Sequence, residues 1–216
     1  MPPANRVLTL AALLTAACLT PLGAQPAGPP AAAPSRPAQR PAPAFEVTEA
    51  TITDLQTAMA QGRVTSAQLV EAYLARIKAY DHAGPMLNTM IRLNPQAAAD
   101  AARMDAERAQ GRVRGPLHGV PIILKDNFDT KGLATSAGSI ALASHVPKSD
   151  AFVVKKLREA GAVIIGKSNL HELASGITTI SSLGGQTLNP YNPDRCPGGS
   201  SGGTGAAIAA RFAAIG

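Results

Sequence analysis

Two short apolar runs, Val120 to Leu124 and Ala162 to Ile165, do most to limit what this chain can fold into. Each has the length of a strand buried on both faces, with none of the alternation that marks a half-exposed strand. Pro121 sits near the start of the first run, where a missing N–H is tolerated. Between the runs a helix is predicted from Ala151 to Ala160, capped by Asp150 and closed by Gly161. Strand, helix and strand in succession argue for an α/β fold, a sheet with helices on its faces. A further short helix is expected after Asn169, a third strand near Ile177 to Ile180, and a helix of small residues from Thr204 to Ala214. No internal repeat is present.

Upstream the pattern is helical. Thr51 is placed to cap a short helix that runs through Ala60 and is ended by Gly62. Thr65 and Gln68 form a capping box, and behind it Leu69, Val70, Tyr73, Leu74 and Ile77 share one face. Asn94-Pro95 opens a third helix, with proline at the first position, that reaches Gln110 and stops at Gly111. These apolar stripes read as faces packed on a neighbouring core.

Residues 1–24 have the layout of a secretory signal: a charge at Arg6, an apolar stretch from Val7 to Cys18, and small residues to Ala24. The stretch is too short to span a bilayer comfortably, so cleavage after Ala24 is expected, with no stable membrane insertion afterwards. The product is then exported, to the periplasm or beyond. Leu14 to Cys18 also has the look of a lipoprotein cleavage site, with Thr15 a poor fit; either route means export. Residues 25–44 are rich in Pro and Ala and read as an extended linker, leaving 45–216 as the folded part. The formal charge of +6 falls by half without Arg6, Arg36 and Arg40, since 17 basic residues then face 14 acidic ones. With no Trp and only three Tyr and four Phe, there is no aromatic interleaving for base stacking. Nucleic acid is not an expected partner. If Cys18 leaves with the signal, Cys196 stands alone, and it reads as a small residue packed in a loop.

Two segments carry residues suited to chemistry. Lys125 directly follows the first apolar run, where partial desolvation at the sheet's edge would favour the neutral amine and make it a base. The alternative is a lysine that simply reaches water. The second segment is Cys196 to Gly205, with five glycines among ten residues and a helix start behind them. Such a run allows close backbone approach and offers N–H groups to an anion or a developing oxyanion. A phosphate-binding Walker loop fails, because Thr204 stands where lysine is required. A nucleophile elbow fits G-x-S-x-G at Ser200 or Ser201, but Asn192 to Pro197 is turn material rather than the apolar strand an elbow needs. An esterase of the α/β-hydrolase type with Ser200 as nucleophile, or a non-catalytic module whose glycine loop holds an anion, therefore stay open. Lys125 with the two serines offers a further reading, because a lysine base with serines can hydrolyse amides without histidine. His82, His118, His145 and His171 are scattered, and His171-Glu172 lacks the second histidine of a zinc protease. Neither a metal nor a cofactor is expected.

Gly119 to Asn127, Thr135 to Ser139, Gly161 to Asn169, Gly185-Gln186-Thr187 with Asn189-Pro190, and Gly198 to Gly203 follow one another as in the amidase signature family. The chain resembles that family from about Thr51 to its end, and Gly115 to Gly119 looks most like the bacterial peptide amidases. The resemblance implies a mixed central sheet flanked by helices, and hydrolysis of carboxamide C–N bonds in a small-molecule or peptide amide. It implies that Lys125 is the base and that Ser200, in a cis peptide with Gly199, relays a proton. Ser201 would support the relay, with Gly176 and Gly199 on the substrate side. The family nucleophile, a second serine about two dozen residues after the relay serine, would fall past Gly216, together with its oxyanion amides. The chain is accordingly expected to be the amino-terminal part of an amidase domain, incomplete at its carboxy-terminal end and inactive by itself.

Overall fold

A computed structural model of the chain describes residues 45–216. The secretion signal with its cut after Ala24, the lipoprotein alternative at Cys18 and the linker over 25–44 lie outside the described residues.

Helix α1 spans Ile52–Ala60, and Thr51 caps it through a full capping box with Asp54. The Thr51 Oγ1 accepts from Asp54 N–H (3.1 Å), while the Asp54 carboxylate accepts from Thr51 N–H (3.0 Å). Thr51→Ala removes the first of these bonds and is expected to cost about 1 kcal/mol in equilibrium urea unfolding. Helix α2 (Ser66–Tyr80) begins with the expected Thr65–Gln68 box. Leu69, Val70, Tyr73 and Ile77 are buried, while Leu74 is only partly covered. Strand β1 (Met90–Leu93) follows, unforeseen from the sequence. Helix α3 (Ala97–Ala109) starts two residues beyond Pro95, because the Asn94 side chain accepts from Gln96 N–H and holds a turn ahead of the helix.

Strand β2 (Pro121–Lys125), helix α4 (Phe152–Glu159) and strand β3 (Val163–Ser168) form the expected βαβ unit. β2 and β3 run parallel, with Pro121 opposite Val163 and Lys125 opposite Ser168. β1 pairs with the other side of β3 in the antiparallel sense, giving a mixed sheet of order β1-β3-β2. On the free side of β2, Ile123 N–H donates to Ile215 O (3.1 Å). Ile122, Ile123, Ile164 and Ile165 are all at most 1% exposed, consistent with helices on both faces.

Asp150 does not cap α4. Its carboxylate accepts from Lys131 N–H (2.7 Å) and pairs with Arg158 (3.2 Å), and the cap position falls to Ala151 without a side-chain bond. The strand expected near Ile177 to Ile180 shrinks to β4 (Ile180–Ser181), which pairs with β5 (Gly185–Gln186) in a hairpin separate from the central sheet. Its register cannot extend because Thr179 leaves the extended region, with φ 57. Helix α5 (Gly202–Ala209) starts inside the glycine run and ends sooner than expected. The carbonyls just past its end are taken up by Arg76 on α2, whose guanidinium donates to Ala210 O (3.0 Å) and Arg211 O (2.9 Å). No helix among the described residues is long and apolar enough to cross a membrane.

One buried ion pair ties the carboxy-terminal ends of β2 and β3 together. Lys167 and Asp126 are both 0% exposed, with Nζ 3.3 Å from Oδ1. Lys167 also donates to Phe128 O (2.9 Å) and Thr135 Oγ1 (2.8 Å), and the second Asp126 oxygen accepts from the N–H and hydroxyl of Ser136. Burial pushes the Lys167 amine down and the Asp126 carboxylate opposes that shift.

Candidate active site

Lys125 ends β2 and Asp126 follows it, with side chains on opposite sides of the sheet, so the buried pair fixes the strand end from below while Lys125 emerges above it. Lys125 is half-buried, and desolvation alone lowers its pKa from the ordinary lysine value. Facing it is the glycine loop. The Gly199–Ser200 peptide is cis, and Ser201 forms the N-terminal cap position of α5 without spending its hydroxyl on the helix. Lys125 Nζ lies 2.8 Å from Ser200 Oγ and 2.9 Å from Ser201 Oγ. A charged ammonium donates to both hydroxyls; a neutral amine accepts from one and donates to the other. The three residues therefore form one hydrogen-bonded group without histidine.

Glycine is required where this loop meets its supports. A β-carbon at Gly203 would overlap the backbone of Asn169, and one at Gly202 would overlap the Thr179 hydroxyl. These contacts let α5 start directly against β3 and the hairpin, with its first N–H groups close to the serines. Beside the loop, Lys125, Ser201, Thr204, Phe128, Val153 and Ile123 contribute to an open, mostly apolar cleft of about 440 Å³.

All three expected side chains, Lys125, Ser200 and Ser201, are thus brought together. Gly199 joins them through its peptide with Ser200, and its Cα packs on the Ile177 backbone so closely that a β-carbon would come within 2.8 Å. Gly176 lies beneath the ring of His171, whose backbone N–H donates to Ser200 O (3.0 Å). The elbow geometry is not adopted, since turns rather than a strand precede Ser200. Cys196 is exposed in those turns instead of packed. Sequence reasoning missed Thr179, whose hydroxyl contacts the loop at Gly198 and Gly202, and the Ser168–Thr204 hydroxyl pair (2.6 Å) beneath α5. Neither has a spacing signal, because each depends on backbone brought in from a distant element.

A family model described as Amidase matches residues 68–216. A glutamyl-tRNA(Gln) amidotransferase polypeptide of Chloroflexus aurantiacus is 46% identical over 166 residues, covering 76% of this chain and 34% of that protein. The peptide amidase of Stenotrophomonas maltophilia superposes with a TM-score of 0.75 at 49% identity, over 77% of this chain and 35% of that one. An amidase family protein of Bacillus anthracis gives 0.73 at 36% identity, over 78% and 34%. The chain spans about a third of the length of the curated relatives it matches. The family match takes in well over half of the chain, and the chain belongs to the amidase family.

Proposed function

We propose that the whole protein is an exported amidase that hydrolyses the C–N bond of a small-molecule or peptide carboxamide by serine–lysine catalysis. The contact that carries this reading is the 2.8 Å approach of Lys125 Nζ to Ser200 Oγ. Neutral Lys125 takes the Ser200 proton while Ser200 takes one from an attacking serine elsewhere in the whole protein. The attacking oxygen then adds to the carbonyl carbon, the relay run in reverse protonates the leaving amine as the C–N bond breaks, and water deprotonated through the same relay cleaves the resulting acyl ester, releasing the acid and restoring the serine. Ser201 shares the Lys125 amine and keeps its lone pair directed at Ser200. Gly176 and Gly199 are assigned to the substrate side of the loop. Export rests on the signal-like residues 1–24, with lipidation at Cys18 as the second route.

The test is amide turnover by the whole protein across pH, with a peptide amide as probe. Lys125 works as the neutral amine, so activity is lost as pH falls through its pKa and is regained as pH rises. Desolvation lowers that pKa, so the acidic limb should have its midpoint below the ordinary lysine value. A limb centred at or above that value would contradict the role given to Lys125. Absence of any amide turnover would contradict the function itself.

A further inference from the structure

We propose that Thr179 is a positioning residue for the serine pair, closing the loop that presents Ser200 and Ser201 to Lys125. Its hydroxyl donates to Gly198 O (2.6 Å) and accepts from Gly202 N–H (3.0 Å). Those two backbone groups bracket Gly199, Ser200 and Ser201, so one side chain clamps both ends of the segment that carries the hydroxyls. The clamp is 0% exposed, out of reach of any substrate.

The clamp is itself held in a conformation its residue type disfavours. Thr179 has φ 57, a region in which a β-branched residue is a genuine outlier and which persists only when the surroundings impose it. Those surroundings are the Gln186-Thr187 pair that the family resemblance singled out. Thr179 O accepts from Thr187 N–H (3.1 Å) and from the Gln186 side-chain amide (3.2 Å). Gln186 also donates to Thr178 O (2.7 Å). Thr187 Oγ1 in turn accepts from Asn169 Nδ2 (3.0 Å) and donates to Asn88 O (2.7 Å), which anchors the hairpin to the end of β3. The path from sheet to serines therefore runs Asn169, Thr187, Thr179, then the loop.

This role rests on the proposed amidase reading, and the two fail differently. Thr179→Val keeps shape and branching but removes both hydrogen bonds. In the whole protein assayed on a peptide amide, kcat per folded molecule should fall roughly 10²-fold, as expected for misplaced reacting groups. KM should stay unchanged, because Thr179 touches no substrate. Thr179→Ser, which restores the hydroxyl, should recover kcat to within a few-fold. An active wild type whose Thr179→Val variant has the same kcat would overturn the role of Thr179 and leave the amidase reading intact. So would a Thr179→Val protein that fails to fold, since the hydroxyl would then serve the fold, or a Thr179→Ser protein as impaired as Thr179→Val. A wild type with no amide turnover would overturn the function on which the role depends.

Discussion

Lys125→Ala should lower amide turnover by the whole protein by roughly 10²- to 10⁴-fold, the range of a general base. Among the described residues, its amine is the only side-chain group hydrogen-bonded to the hydroxyls of both Ser200 and Ser201. Lys125→Arg should be as impaired as alanine, because a guanidinium stays protonated at any working pH and cannot accept the Ser200 proton. Stability should change little in either variant. Lys125 forms no ion pair among the described residues, its partners are hydroxyls, and it ends its strand instead of crossing the core. The checks are kcat/KM and a thermal melt on the same preparations. Near-normal turnover in Lys125→Ala would remove the base from the mechanism; a collapsed melt would show that the residue serves the fold.

The largest loss of stability should come from the residue that follows Lys125, on the opposite side of the sheet. Asp126→Ala leaves Lys167 buried without its counter-ion, and breaking such a pair costs about 3–5 kcal/mol. Lys167 keeps bonds to Phe128 O and Thr135 Oγ1, but neither neutralises an ammonium. The double variant Asp126→Ala, Lys167→Met should recover a good part of the loss, because removing both charges removes the uncompensated one. Equilibrium urea unfolding of the two single variants and the double variant measures the coupling directly. A loss of less than about 1 kcal/mol in Asp126→Ala would mean that the pair contributes no more than a typical surface salt bridge.

Much of the fold was legible in the sequence because its signals are local. Thr65 and Gln68 are three residues apart, and the box they form needs nothing beyond their own helix. Lys125 at the end of an apolar run was placed correctly for the same reason. The resemblance supplied its pairing with Ser200, which no local rule contains. What stayed illegible depends on distant partners. β1 is only four residues long and Arg92 interrupts its apolar residues, so it announces no strand by itself and forms by pairing with β3. Asp150 has the letter of a helix cap, yet Arg158 and the Lys131 amide compete for its carboxylate and win it. The two isoleucines that bound the strand expected at Ile177 to Ile180 are 76% and 48% exposed, so their apolar character says nothing about burial. The part played by Thr179 is set by its φ and by carbonyl and amide groups about twenty residues further on, which no window of sequence displays together.

The pinning of α5 at its two ends has a mechanical corollary. Thr179 holds the first turn, and the Arg76 guanidinium of α2 grips the two carbonyls that follow the last. Axial slippage by one residue would translate the helix about 1.5 Å. Directed away from Lys125, a displacement of that size takes the Ser201 oxygen, 2.9 Å from the amine, out of its hydrogen-bonding reach. Play of one residue in that direction is already too much, and the far end of the helix is as much a part of the alignment as the end that bears the hydroxyl.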